Sequence, residues 1–489
     1  MTMEKAAPWE SAPAHEQLFV LVTGANSGVG LGTAQRLIDE FLATRSLTAH
    51  LVILATTRSE SKSRQAIRDI RSYAARAAKA ARRPASDDED EDDDDDDIRW
   101  RDTLARIHVL SLPLDLCDLR AVRSFARRLA SGTVSNPEPD EGEGEEPLRG
   151  VRVPRLDSVV FNAAYGGWTG CSYPMAVWSI LTKGLVQSVT WPDFKNSLPT
   201  CILNEQADYG YPAKPLLGEV FAACVFGHYM LAHELLPLLS RPQGSALAPG
   251  RIIWSSSLEA VSRVFSIDDL QGFTRSAAYE SAKRLTDLLA LSHSLPAARP
   301  YSSRWLTLDG DGEKGAATAV VRPRVYLTHP GIVASTLFPV PWFLFWAYEL
   351  ALALSRWLGS PWHTVDGHSG AKAAVWVTLQ PQEALDEMGA ERVKWGSSAD
   401  RHLRVDVKMT EVEGWGWQGR VEEADGLGSG DAAVGVLRKS RGRKHGAVDV
   451  TDEDIVRFEE LGASCWRQME ALRATWEELL DEEEDGVRQ

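Results

Sequence analysis

Tyr279 and Lys283 stand four residues apart in Ala278-Tyr279-Glu280-Ser281-Ala282-Lys283. On a helix that spacing puts both side chains on one face. An ammonium beside a phenol favours the phenolate and lowers its pKa. Such a phenol can exchange a proton with a carbonyl or alcohol oxygen near neutral pH. Upstream, the apolar run Arg251-Ile252-Ile253-Trp254 delivers Ser255-Ser256-Ser257. A hydroxyl there can hydrogen-bond the same oxygen and stabilise a developing alkoxide. A Tyr and a Lys at this spacing occur often by chance, so the elements around them must decide.

The first of those elements is Leu18-Phe19-Val20-Leu21-Val22, a continuous apolar run that predicts a buried strand. It leads into Thr23-Gly24-Ala25-Asn26-Ser27-Gly28-Val29-Gly30, and a helical pattern follows at Leu31, Ala34, Leu37, Ile38, Phe41 and Leu42. Glycines between a strand and a helix allow a tight turn and let the backbone approach a pyrophosphate at the helix's positive end. This context is what the dinucleotide motif requires. The second predicted strand, Leu51–Ala55, is followed by Thr56-Thr57-Arg58-Ser59, with Lys62 close by. A site for NAD places Asp or Glu here; Arg58 suits a 2′-phosphate, so the expected cofactor is NADPH/NADP+.

Further elements continue the alternation. A helix is predicted from about 61 to 81, strands at Ile107–Leu112 and Leu156–Phe161, and a helix near 119–129 between them. A helix at about 217–239 precedes the strand ending in Trp254. Another covers about 276–295, and a strand at Arg324–Thr328 closes on His329-Pro330-Gly331. The pattern predicts an α/β fold, a Rossmann-type doubly wound parallel sheet with helices on both faces. The segment Tyr165–Pro215, dense in Trp, Pro and Gly, is expected to be an ordered irregular loop covering something.

The 489 residues carry a formal charge of -16. Asp87–Asp97 holds eleven consecutive acids and Glu138–Glu146 six more; without those seventeen the chain is at +1. The acidity thus belongs to insertions, expected to be disordered, at about 82–99 and 131–148, with a third, polar one at about 300–317. Without a basic stripe, nucleic-acid binding has no support. The five cysteines show no paired spacing, which argues against a disulfide framework and against a metal site. Residues 1–17 are polar and expected to be flexible. One Rossmann-type domain would then cover 18–400 with a C-terminal extension at 401–489.

Two segments stand out for apolar surface. Leu337–Leu358 holds Trp342, Phe343, Leu344, Phe345 and Trp346 but is interrupted by Pro339, Pro341, Glu349 and Arg356. It falls short of a clean bilayer span and is expected to contact a membrane surface as an interfacial helix. The tail from Thr451, a plausible cap, keeps helical apolar spacing from Ile455 through Leu479 and predicts an amphipathic helix.

The order of motifs resembles the short-chain dehydrogenase/reductase family. Asn162-Ala163-Ala164-Tyr165-Gly166 is similar to that family's Asn-Asn-Ala-Gly turn, with Phe161 in place of the first Asn. Asp115-Leu116 is similar to its adenine-contacting pair. Pro330-Gly331 is similar to its turn beside the nicotinamide, with Val333 following and Ser335 or Thr336 available to the carboxamide. A narrower resemblance, to fungal 3-keto-steroid reductases, is carried by Leu37–Phe41, Trp254–Ala260, Ala278–Thr286, Leu358–Val365 and Glu411–Trp417. It implies reduction of a sterol 3-ketone to the 3β-alcohol by NADPH in ergosterol synthesis. It further implies partners in a sterol C-4 demethylation complex, on the cytoplasmic face of the endoplasmic reticulum membrane or on lipid droplets.

Carried over residue by residue, the resemblance makes Tyr279 the proton donor. Lys283 lowers its pKa and binds the nicotinamide ribose. Ser257 best matches the catalytic serine, with Ser256 next. Between Ser257 and Tyr279, residues 263–275 are expected to form a loop beside the substrate. Cys224 stands where the family commonly has an Asn that supports a proton relay, and a thiol is a poor substitute for an amide. A sterol pocket should be apolar, with walls from Trp168, Trp178, Trp191 and Leu337–Leu358. Two other functions fit the same motifs: a carbonyl reductase for another steroid or lipid, and a non-catalytic NADP(H)-binding scaffold.

Overall fold

Residues 17–23 are apolar on both sides of the strand, so they can only lie inside a sheet covered on both faces. In the computed structural model Gln17–Thr23 is that strand, β1. Phe19 and Leu21 point into one apolar core, Val20 and Val22 into the other. The structure describes residues 6–81, 100–139, 147–204, 215–307, 320–335, 337–338, 340–421 and 442–488.

The chain continues as α1 (Gly28–Thr44), β2 (His50–Thr57), α2 (Glu60–Ala80), β3 (Ile107–Pro113), α3 (Leu119–Ser131) and β4 (Ser158–Phe161). A hairpin-like excursion follows: β5 (Trp168–Cys171), α4 (Tyr173–Lys183), α5 (Leu185–Thr190) and β6 (Lys195–Ser197). The next helix, α6, runs through Glu219–Phe221, a π turn at Ala222–Phe226, and Gly227–Glu234. Then come β7 (Arg251–Ser255), α7 (Ala278–Ser292), α8 (Arg299–Trp305), β8 (Arg324–His329), α9 (Phe345–Trp357), α10 (Lys372–Leu379), β9 (Lys394–Ala399), β10 (Val405–Thr410) and α11 (Asp452–Arg488).

The sheet has eight strands in the order β10-β9-β8-β7-β4-β1-β2-β3. Every neighbouring pair is parallel except β9 with β10. Strand order reverses between β1 and β4, so a crevice opens above their carboxyl ends. Helices cover both faces, as the α/β reading requires.

Several expectations are corrected. Residues 6–16 pack down: Trp9 is buried with its ring against Phe19 and His108. Tyr165–Pro215 holds two strands and two helices within its described part. The insertion expected at 131–148 is narrower, because Val134 bridges Val151 and Asn136 bonds to Ser111 N and Val109 O. The one expected at 300–317 begins inside α8, where Trp305 is buried and its Nε1–H donates to Tyr229 O. The insertion at 82–99, residues 140–146 and 308–319, and Thr336 lie outside the described residues. β9 and β10 had no sequence prediction; β10 and buried Trp415 bring residues past 400 into the sheet and core.

Helix α11 is present, opened by a reciprocal cap between Thr451 and Asp454. It lies on α7 and α8, burying Cys465, Trp466 and Met469, and Trp466 Nε1–H donates to Leu289 O at 3.1 Å. Among the described residues no helix is long and apolar enough to cross a membrane.

Candidate active site

The turn after β1 is shaped by close approach. Gly24 adopts φ +67°, and a Cβ there would lie 3.1 Å from Ala163. A Cβ on Gly30 would lie 2.2 Å from Gly24 O and 2.7 Å from Asn162 Nδ2. Only glycine fits both positions. Thr23 Oγ1 accepts the Asn162 and Ala163 N–H groups at 2.9 and 3.0 Å, and Asn162 Nδ2 donates to Thr23 O at 3.2 Å. The β1 and β4 turns are thus stitched into one floor. Asn26, Ser27, Gly28 and Val29 continue it to the N-terminus of α1, where Ser27 and Gly28 are exposed and a Cβ on Gly28 would meet nothing.

Arg58 and Lys62 lie exposed beyond the end of β2, and Asp115 beyond the end of β3. Gly331, Val333 and Ser335 follow β8; Gly331 has φ +73° and its missing side chain admits Trp362 O. The loop residues expected to bind the cofactor therefore gather at the carboxyl ends of the parallel strands. Open backbone at a helix N-terminus and two cations at the tip of β2 fit an anionic dinucleotide.

Helix α7 carries Tyr279, Lys283 and Asp287 one turn apart on one face. Its register fixes the three serines after β7. Lys283 Nζ–H donates to Ser255 O at 2.7 Å. Ser256 Oγ–H donates to Asp287 Oδ1 at 2.5 Å. Lys394, from β9, donates to both Ser257 O and Asp287 Oδ2 at 2.7 Å. Ser256 is consumed in this buried network, whereas Ser257 Oγ accepts the Glu259 N–H at 3.1 Å and shares the cavity lining with Tyr279. Neither Asp287 nor Lys394 carried a sequence signal; the sheet brings them together from 107 residues apart.

Electrostatics at Tyr279 run opposite to the expectation from its lysine. Burial first, and the charges of Glu259 and Glu280 with it, push the phenol well above its ordinary value; the nearby Ser257 hydroxyl opposes them. Burial also lowers Lys283, partly offset by Cys224 and Asp287. So placed, the phenol is an acid that holds its proton. Cys224 lies in the π turn of α6, where its Sγ meets both N and O of Tyr165 at 3.4 Å. It anchors the β4 turn, and burial keeps its thiol protonated.

A cavity of about 370 Å³ opens on this face, within the range of small-molecule sites. Ser257 and Tyr279 line it, as do Val29, Gly331, Val333 and Ser335. Its walls are apolar, among them Phe194, Leu337, Phe338, Leu344 and Tyr348. The excursion β5–β6 roofs it, and Trp168 meets the Tyr279 ring edge-on at 4.7 Å.

Two relatives match nearly end to end. The 3-keto-steroid reductase ERG27 of Gibberella zeae is 61% identical over 97% of this chain and 97% of its own length. The chain belongs to the 3-keto-steroid reductase family. The family's protein from Aspergillus fumigatus is 40% identical over 96% of both chains. That of Schizosaccharomyces pombe is 25% identical over 81% of this chain and 90% of its own. No family model matches the chain. Among solved structures, a metagenomic short-chain oxidoreductase with NADP covers 74% of this chain and 92% of its own at 17% identity and TM-score 0.33. The Pseudomonas aeruginosa RhlG/NADP complex covers 77% and 94% at 15% identity and TM-score 0.36. Superpositions this loose add nothing to the strand order. The resemblance to fungal 3-keto-steroid reductases drawn from the motifs is borne out, and the chain is an oxidoreductase.

Within this family frame, some expected wall residues fall elsewhere. Of the three tryptophans only Trp168 lines the cavity. Trp178 is 68% exposed on α4, and Trp191 spends its indole N–H on Leu258 O. Residues 263–275 fold into short turns capped by Asp269 and lie away from the cavity, with Ile267 O accepting from Gln468 of α11. Sequence reasoning missed Lys195 and Glu259. The signal available was Glu280, a charge set beside Tyr279 on a helix that buries every side.

Proposed function

We propose that this protein reduces a steroid 3-ketone to the 3β-alcohol with NADPH. The observation that carries this reading is a largely apolar cavity whose lining includes both Ser257 and Tyr279. A rigid apolar ring system fits such walls, and its carbonyl meets these two hydroxyls there. Tyr279 gives its proton to the carbonyl oxygen, and Ser257 hydrogen-bonds that oxygen as charge develops. Lys283, fixed on Ser255 O, stands beside the phenol to stabilise the phenolate left behind. Thr23–Gly30, Asn162, Ala163 and the turn after Gly331 would hold the dinucleotide, with Arg58 and Lys62 on a 2′-phosphate. When bound, that group supplies the hydride.

Membrane contact belongs to the same proposal. What supports it is the outward face of the segment that forms the cavity wall. Leu344, Ala347 and Tyr348 face in, while Trp342 is 87% and Trp346 66% exposed. Aromatic side chains of this kind favour the membrane interface. A place at the endoplasmic reticulum or a lipid droplet, beside the enzymes of sterol C-4 demethylation, follows the family resemblance.

The test is NADPH oxidation by detergent-solubilised protein with a sterol 3-ketone, run beside Tyr279→Phe. Turnover in the wild type that falls by about 10³-fold or more in the variant is the expected result. Tight NADPH binding with no turnover by the wild type would replace this reading with that of a scaffold.

A further inference from the structure

Lys195 is a second ammonium beside Tyr279, and nothing above uses it. Its Nζ lies 5.9 Å from the centre of the Tyr279 ring, against 5.5 Å for Lys283. It comes from β6, on the roof of the cavity, and its side chain is 3% exposed. The ammonium sits 4.0 Å above the Trp168 ring, 2.7 Å from Glu259 Oε1, and bonds to Glu280 Oε1. Glu259 lies in the cavity wall just past the three serines, and Glu280 is the neighbour of Tyr279 on α7. Three separate parts of the chain meet at one buried cation.

One carboxylate would neutralise Lys195. Two share it, and Glu280 Oε2 is buried with no hydrogen-bond partner. Burying an ionisable group without a full set of partners is costly, so a surplus carboxyl at this position calls for a use. Burial and the Glu280 charge both push Glu259 upward, and Lys195 opposes them. The charges facing Tyr279 are few. Lys283 and Glu280 come from its own helix, Glu259 from the loop after β7, and Lys195 from β6. The Cys224 thiol faces it from the π turn of α6 and the Ser257 hydroxyl from the turn after β7. Beyond them, Tyr348 of α9 faces Glu259, and Cys171 of β5 faces Lys195. Burial raises both of these groups, so they stay neutral.

We propose that Lys195, Glu259 and Glu280 form a positioning set for ketone reduction: Lys195 fastens the roof and Trp168 onto the catalytic helix, and the surplus carboxyl charge holds the proton on Tyr279 until a substrate oxygen takes it. The proposal rests on Tyr279 being the proton donor. The two halves of the set act oppositely on that proton. Negative charge retains it, and the Lys195 ammonium promotes its release.

The experiment is the pH profile of kcat/KM for ketone reduction in the wild type, Glu259→Gln, Lys195→Met and Lys195→Arg. The alkaline limb marks loss of the Tyr279 proton. Glu259→Gln keeps an oxygen for Lys195 but removes a charge, so its limb moves to lower pH, and rates on the limb fall about threefold or more. Lys195→Met moves the limb to higher pH and raises KM for the steroid ketone, with KM for NADPH held. Lys195→Arg restores both. A Glu259→Gln or Lys195→Met limb that coincides with the wild type, or limbs of these two that shift in the same direction, would overturn the proposal. Should Lys195→Met not fold, Glu259→Gln decides alone. Tyr279→Phe run in parallel separates the layers: full turnover there removes the proton donor itself, whereas an inactive Tyr279→Phe with unmoved limbs removes only the role of the set.

Discussion

Gly30 shows how little room the nucleotide floor leaves. The position it would give a Cβ is 2.2 Å from the carbonyl oxygen of Gly24, inside contact distance for any carbon. Gly30→Ala must therefore displace the β1 turn or the first turn of α1. It is expected to weaken NADPH binding tenfold or more, as read by nucleotide fluorescence, and to lower stability by about 1–3 kcal/mol. A variant that binds NADPH as the wild type does would show that the turn gives way freely. Gly24, Gly30, Tyr279 and Lys283 were legible from the sequence because local spacing alone sets their geometry. Lys394 and Lys195 were not, because a lysine in a strand announces no partner until the sheet is assembled. The direction of the Tyr279 shift was misjudged for the same reason: spacing revealed the lysine four residues away, but not the burial or the carboxyls from elsewhere.

Among the described residues, the elements α4 and α9 are alike in leaving one apolar face uncovered. Tyr173 and Ala176 of α4 line the cavity, while Met175, Val177, Trp178 and Leu181 point outward. Helix α9 with the turn before it does the same through Trp342, Trp346, Leu350 and Trp357. Exposed apolar surface of this extent marks an interaction site. The double variant Trp342→Ser/Trp346→Ser is expected to reduce flotation with phospholipid vesicles about tenfold or more while its far-UV spectrum is unchanged. Equal flotation of both proteins would sink the membrane reading of this face. The apolar run at 337–358 was visible in sequence as a strong hydropathy signal. Helix α4 was not, because the segment Tyr165–Pro215 around it, dense in Trp, Pro and Gly, reads as loop composition. β9 and β10 escaped for a related reason: β10 alternates half-buried and exposed residues at the sheet edge, too weakly to stand out.

Over the whole molecule, buried neutral imidazoles recur. Burial pushes His108 and His228 down to about 3 and His363 down to about 4, and it holds His329 well below the ordinary value. Unfolding returns each to its ordinary value of 6.5. Below that pH the unfolded chain binds more protons than the folded one, so stability is whole above it and falls as pH drops through it. Each imidazole costs about 1.4 kcal/mol per pH unit once fully in that window. Thermal unfolding is expected to show a lower Tm at pH 5.5 than at pH 7.5, and His363→Gln should make the decline shallower. An unchanged Tm between those two values would mean that these rings are not neutral in the fold.

Helix α11 covers the back of α7, with Trp466 bonded to Leu289 and Gly462 pressed against Ser292. The two helices are more than 150 residues apart in the chain. A ribosome adds about 5–20 residues per second, so the helix that carries Tyr279 and Lys283 waits roughly 8–30 s for its cover to be made. Through that interval the nascent chain holds most of a sheet and an α7 whose apolar back is turned to water. A helix made so late is thus the one that closes the core behind Tyr279, and a stop codon before it would leave that face bare.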